Sequence, residues 1–92
     1  MLILEMSYNP ENALIVQSDR TILLEVHAPT AGAAREAIAP FAELIKSPEH
    51  VHTYRLTPLS IWNARAAGLG VEQMVKALQQ YTKYPLPSSI IE

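Results

Sequence analysis

Leu14-Ile15-Val16-Gln17-Ser18-Asp19-Arg20-Thr21-Ile22-Leu23-Leu24-Glu25-Val26 holds two aliphatic, β-branched runs separated by three polar residues. Such runs favour a pleated, half-buried surface, and a short polar break between them reads as a hairpin with a three-residue loop over 18–20. Along the second run Ile22, Leu24 and Val26 alternate with Thr21, Leu23 and Glu25. Side chains alternate across a strand, so one face is wholly apolar and the other mixed. The apolar face needs helices to cover it.

Downstream, Ala28 and Pro29 stop the strand and Thr30 offers an N-cap to an alanine-rich segment, 31–46. Ala34, Ile38, Phe41 and Ile45 recur at helical spacing, and Pro40 interrupts them. Proline removes a backbone donor and clashes with the carbonyl four residues back, so the expectation is one helix kinked at Pro40, with two short helices as the alternative. Residues 50–56 read as a third strand by β-propensity. Thr57-Pro58 is a helix start, Gly68 a helix stop, and Gly70 opens a last helix with a stripe of Val71, Met74, Val75, Leu78 and Tyr81. Between Thr57 and Gly68, Leu59, Trp62 and Ala66 share a face, and Trp62 reads as the largest anchor of the core, worth about 3 to 5 kcal/mol on truncation to alanine. Upstream, residues 1–12 read as an extension whose first six residues are either a strand or a frayed end, and residues 88–92 as a tail with room for one helical turn. The fold class is α+β: a small antiparallel or mixed sheet, a hairpin plus a third strand, packed against a kinked helix and a C-terminal helical hairpin. Residues 13–92 form a single domain.

Composition narrows the function classes. Ninety-two residues, 49% hydrophobic and 17% charged, suit one packed domain and argue against disorder. Without cysteine there is no disulfide, thiolate metal site or cysteine nucleophile. Seven basic against nine acidic side chains leave a formal charge of −2, not the basic footprint of an autonomous nucleic-acid binder. No apolar run is long enough for a membrane span, and the expected location is cytoplasmic.

Three constellations invite chemistry. His27, His50 and His52 could hold a metal, since imidazoles two apart on a strand share a face, but a strand bordering the core explains them better, and no metal site is assigned. Ser18 and Asp19 with a histidine could be drawn as a hydrolytic triad, yet no nucleophile elbow accompanies them and a hairpin-loop Asx turn accounts for the pair. The helices within 57–83 could be a helix-turn-helix whose second helix presents Lys76, Gln79, Gln80 and Lys83 to DNA. With Glu72 on the same face the net charge is small, phosphate attraction is feeble, and a packed helical hairpin is the stronger reading.

The hairpin stretch, together with Ser47-Pro48-Glu49-His50-Val51-His52-Thr53-Tyr54-Arg55-Leu56-Thr57-Pro58-Leu59-Ser60-Ile61-Trp62-Asn63-Ala64, Ala67-Gly68-Leu69 and Tyr84-Pro85-Leu86-Pro87, resembles the N-terminal conserved domain of XPB-type superfamily-2 DNA repair helicases, in the manner of the bacterial branch. The blocks run in order across roughly residues 13–91, and the eukaryotic relatives keep a His-Val-His-x-Tyr-x-Leu-Thr pattern that residues 50–57 reproduce. The resemblance implies an ATP-dependent DNA translocase acting in nucleotide excision repair, with ATP and Mg²⁺ as its cofactors. The phosphate-cradling loop such a motor needs is missing here: Gly32, Gly68 and Gly70 are the only glycines and none precedes a lysine. What the resemblance implies for this segment is an accessory, non-catalytic role. Its expected partners are the motor domains of the same chain or a subunit of similar fold, with a weak homodimer when isolated and DNA reached through the parent protein, near the nucleoid.

Overall fold

A computed structural model describes residues 8–91. β1 (Leu14–Val16) and β2 (Thr21–Glu25) form the expected hairpin, in the register Leu14↔Leu24, Ile15↔Leu23, Val16↔Ile22. The loop closes through the Gln17 amide, which donates to the Thr21 carbonyl at 2.9 Å. Inside it, Asp19 Oδ1 accepts the Thr21 N–H at 3.0 Å, and Arg20 takes the left-handed conformation with φ 72°. A three-residue loop ends in this conformation because the turn must match the twist of its strands.

The helix expected to run to Lys46 is shorter. α1 spans Ala31–Ile38, buries Ala31, Ala34 and Ile38, and stops at Ala39. Pro40 has no N–H to continue the ladder; instead the amides of Phe41 and Ala42 both bond the Ile38 carbonyl and turn the chain back. Thr30 holds the N-cap position, but its hydroxyl donates to the Glu11 carbonyl at 3.2 Å and caps no amide of the helix. Neither the kinked helix nor the two-helix alternative forms: Glu43–Lys46 is strand β3. It pairs with β4 (Val51–Arg55), the expected third strand, which in turn pairs with β2. The sheet is wholly antiparallel, in the order β1-β2-β4-β3, with a bulge at Ile45.

α2 (Pro58–Ala66) starts as the sequence indicates. The Ser60 amide donates to Thr57 Oγ1 at 2.9 Å and the Thr57 amide to Ser60 Oγ at 3.0 Å, a reciprocal cap with Pro58 in the first turn. It ends with Gly68 at φ 101°, the Leu69 amide reaching the Ala64 carbonyl and the Gly68 amide that of Arg65, which satisfies two orphan acceptors. α3 (Val71–Tyr81) follows, burying Met74 and Leu78, and α4 (Ser88–Ile91) makes the single turn expected of the tail.

The helices lie on one face of the sheet. Leu14, Val16, Ile22, Leu24 and Tyr54 face them and join Phe41, Ile38, Met74 and Leu78 in one core, while Ile15 and Leu23 on the other face stay half-buried. Residues 9–12 are stitched to the end of α3. The buried Asn12 amide donates to the carbonyls of Gln80 and Thr82, the Asn9 amide donates to the Lys83 carbonyl, and Tyr8 stacks on Tyr84 at 5.3 Å. The question of a strand or frayed end at residues 1–6 lies outside the described residues.

Candidate interaction surface

α2 presents two apolar faces, and the smaller one goes in. Ser60 and Ala64 are buried and Ile61 packs against the core, whereas Leu59 is 62% exposed and Trp62 67% exposed. Trp62 is therefore not the core anchor expected of it. The mutual cap turns Ser60 back toward Thr57 and sets the phase of the helix, so that Ser60, Ile61 and Ala64 meet the core and the indole is left outside. Leu59 and Trp62, three residues apart, then stand side by side in solvent.

The start of α2 is tied to the start of β3, since Thr57 Oγ1 donates to Glu43 Oε2 at 2.6 Å. Every residue of β3 is exposed, Leu44 by 53% and Ile45 by 47%. Two exposed apolar pairs, one on a helix and one on a sheet edge, thus flank a single junction. Clustered apolar surface of this kind marks contact sites more often than scattered leucines do.

The four candidate DNA contacts do not come together. Lys76, Gln79 and Gln80 lie exposed on α3, but Lys83 falls beyond its end and its ammonium donates to the Glu25 carboxylate of β2. That bond holds the Lys83 ammonium above its ordinary pKa despite the desolvation opposing it.

The histidines divide as well. His27 Nε2 and His50 Nδ1 meet at 2.9 Å in an exposed, tilted pair, while His52 points to the core side of β4, opposite Leu24, with a buried Nδ1 that has no partner. His50 precedes the strand, so the shared face expected of His50 and His52 does not arise. Among the described residues no three histidine or acidic side chains gather as metal ligands. Asp19 serves the hairpin as an Asx turn, the Thr21 N–H holding its carboxyl below the usual carboxylate range. Of the glycines, Gly32 lies within α1, Gly68 closes α2, and the Gly70 amide at the head of α3 is taken by Gln73 Oε1 at 2.7 Å. An apolar cleft of about 180 Å³ between Phe41, Leu56, Met74, Leu78 and Ile90 has Arg20 as its one charged lining residue.

Comparison with known proteins is specific. Residues 14–92 match the family described as "Helicase conserved C-terminal domain". The chain is 62% identical over 81 residues to a DNA 3'-5' helicase XPB of Mycobacterium tuberculosis and 60% identical over 81 residues to one of Kineococcus radiotolerans. It is 33% identical over 81 residues to a general transcription and DNA repair factor IIH helicase/translocase subunit XPB of Antonospora locustae. Each match covers 88% of this chain but only 15%, 14% and 12% of the respective relative. The family description and the resemblance read from the sequence agree on the helicase and name opposite ends of it. No described helix is long and apolar enough to cross a membrane.

Proposed function

This chain belongs to the helicase conserved C-terminal domain family, on its XPB-type, bacterial side, and from that premise we propose that it is a non-catalytic protein-docking module of an ATP-dependent DNA helicase. The observation that carries the reading is the pair Leu59 and Trp62, exposed on α2 beside the bare strand β3. Aromatic residues standing in solvent next to aliphatic ones are the anchors that contact surfaces use. The partner is the motor of the parent protein, which supplies the ATP and Mg²⁺ chemistry, or a subunit that regulates it. DNA repair is the parent's task, carried out in the cytoplasm at the nucleoid.

The opposite reading, an auxiliary DNA-binding module acting through α3, loses support because Lys83 is paired with Glu25 and the overall charge is negative. Trp62 is the only tryptophan, so its emission reports on α2 alone. Titrating the chain with the isolated motor segment of a bacterial relative is expected to shift that emission to the blue. Titration with duplex or single-stranded DNA at low salt is expected to leave it unchanged. Salt-sensitive DNA binding with no response to the motor would reverse the two readings. The chain is also expected not to hydrolyse ATP, with or without DNA; turnover that survives repurification would overturn the non-catalytic assignment.

A further inference from the structure

The two edges of the sheet are treated differently. On β1, the Leu14 carbonyl accepts the Lys83 amide at 2.7 Å and Leu14 bridges Thr82 in parallel, so the returning chain covers that edge. β3 ends the sheet on the other side, with β4 as its only neighbour among the described strands. An edge left with unpaired amides and carbonyls is a template for another strand. We propose that β3 pairs antiparallel with β3 of a second copy, giving a two-fold dimer with a continuous eight-stranded sheet.

The strand's four residues, Glu43-Leu44-Ile45-Lys46, carry the argument. Placed antiparallel about a two-fold axis, they put Glu43 opposite Lys46 of the second copy, Lys46 opposite its Glu43, and Leu44 opposite its Ile45. Opposed residues must also share a face, and in a regular strand residues three apart would not. The bulge corrects this. Glu43 pairs with Arg55 and Lys46 with Thr53, two β4 residues on the same face, because the extra residue at Ile45 shifts the register. Both charges therefore stand on the sheet face away from the helices, where each meets its opposite, the Glu43 carboxylate taking the Thr57 hydroxyl through Oε2 and leaving Oε1 for the lysine. Leu44 pairs with Tyr54 and stands on the helix side. A lysine on an edge ordinarily discourages strand addition, and here it selects one partner and one register. The inference assigns the β3 side of the exposed surface to a second copy and the α2 side, Leu59 and Trp62, to the docking role.

Four residues form a small contact, so the dimer is weak and its test is a concentration series. Sedimentation equilibrium of the 92-residue chain, up to about 1 mM, is expected to show the mass climbing from 10.2 kDa toward twice that value. Lys46→Glu sets Glu43 against a second glutamate twice per dimer and is expected to raise the dissociation constant about tenfold or more. The double exchange Glu43→Lys with Lys46→Glu restores both pairs in reverse and is expected to recover dimerisation. Mixing the Glu43→Lys variant with the Lys46→Glu variant is expected to give a mixed dimer tighter than either alone. Circular dichroism of each variant separates a lost contact from a lost fold. A strictly monomeric mass for the unaltered chain across the series would overturn the proposal. So would a dimer that folded Lys46→Glu leaves intact, or one abolished by Trp62→Ala, which would move the contact to α2.

Discussion

α2 and α3 are neighbouring helices with equally clear signals at their ends, and they dispose of their largest apolar side chains in opposite ways. α3 turns Met74 and Leu78 into the core, while α2 turns Leu59 and Trp62 out to solvent. The difference lies in how many faces each helix could bury. Opposite its apolar stripe α3 has Glu72, Gln73, Lys76, Gln79 and Gln80, so only one side can go in. α2 has two usable sides, Leu59-Trp62-Ala66 and Ser60-Ile61-Ala64, and periodicity alone does not choose between them. The cap sets the small side inward and leaves the large one exposed.

Removing the inward anchor of α3 is the severest way to test that contrast. Leu78→Ala is expected to cost about 2 to 5 kcal/mol, the range for deleting a buried leucine, read from thermal or urea unfolding. A small loss would mean that α3 packs loosely and that the two helices are more alike than they look. Next comes the inward face of α2. Ala64→Leu adds bulk at a side chain already buried and is expected to cost about 1 to 3 kcal/mol. Tolerance of leucine there would show that the packing of α2 does not require a small inward face.

What the sequence disclosed follows the same logic. The β1–β2 hairpin was legible because its alternation and its polar loop lie within thirteen consecutive residues. The head of α2 was legible for the same reason, every atom of its cap belonging to Thr57 and Ser60. β3 was not. Phe41 and Ile45 extend the spacing of Ala34 and Ile38 past Pro40, and Leu44-Ile45 is too short to show alternation of its own, so pairing with Tyr54 and Thr53 decides its structure. The exposure of Trp62 was hidden likewise, being set by which face of α2 meets the core. The pairing of Lys83 with Glu25 joins residues far apart in the chain and leaves no local trace.

The cap gives a middle-sized test. Thr57→Ala removes the acceptor of the Ser60 amide and the donor to Glu43, and is expected to cost about 1 kcal/mol, within the range for lost N-caps. Thr57→Ser keeps both bonds and is expected to keep nearly all the stability. If alanine and serine behave alike, the cap does not fix the phase of α2, and the burial of Ser60 needs another cause.

Trp62→Ala is the smallest effect and the most discriminating. A buried tryptophan would cost about 3 to 5 kcal/mol on truncation, but a side chain two-thirds exposed leaves little to lose. Alanine is also the better helix former, which offsets part of what contact the indole makes with its own helix. The expected change is within about 0.5 kcal/mol of zero, measured by circular dichroism because the variant has no tryptophan to fluoresce. Binding to the motor segment should fall sharply in the same protein, the pattern of a residue whose stabilising contact is made only in the complex. A loss of several kcal/mol in the unbound chain would place the indole in the chain's own core, make α2 a second α3, and remove the surface on which the docking role rests.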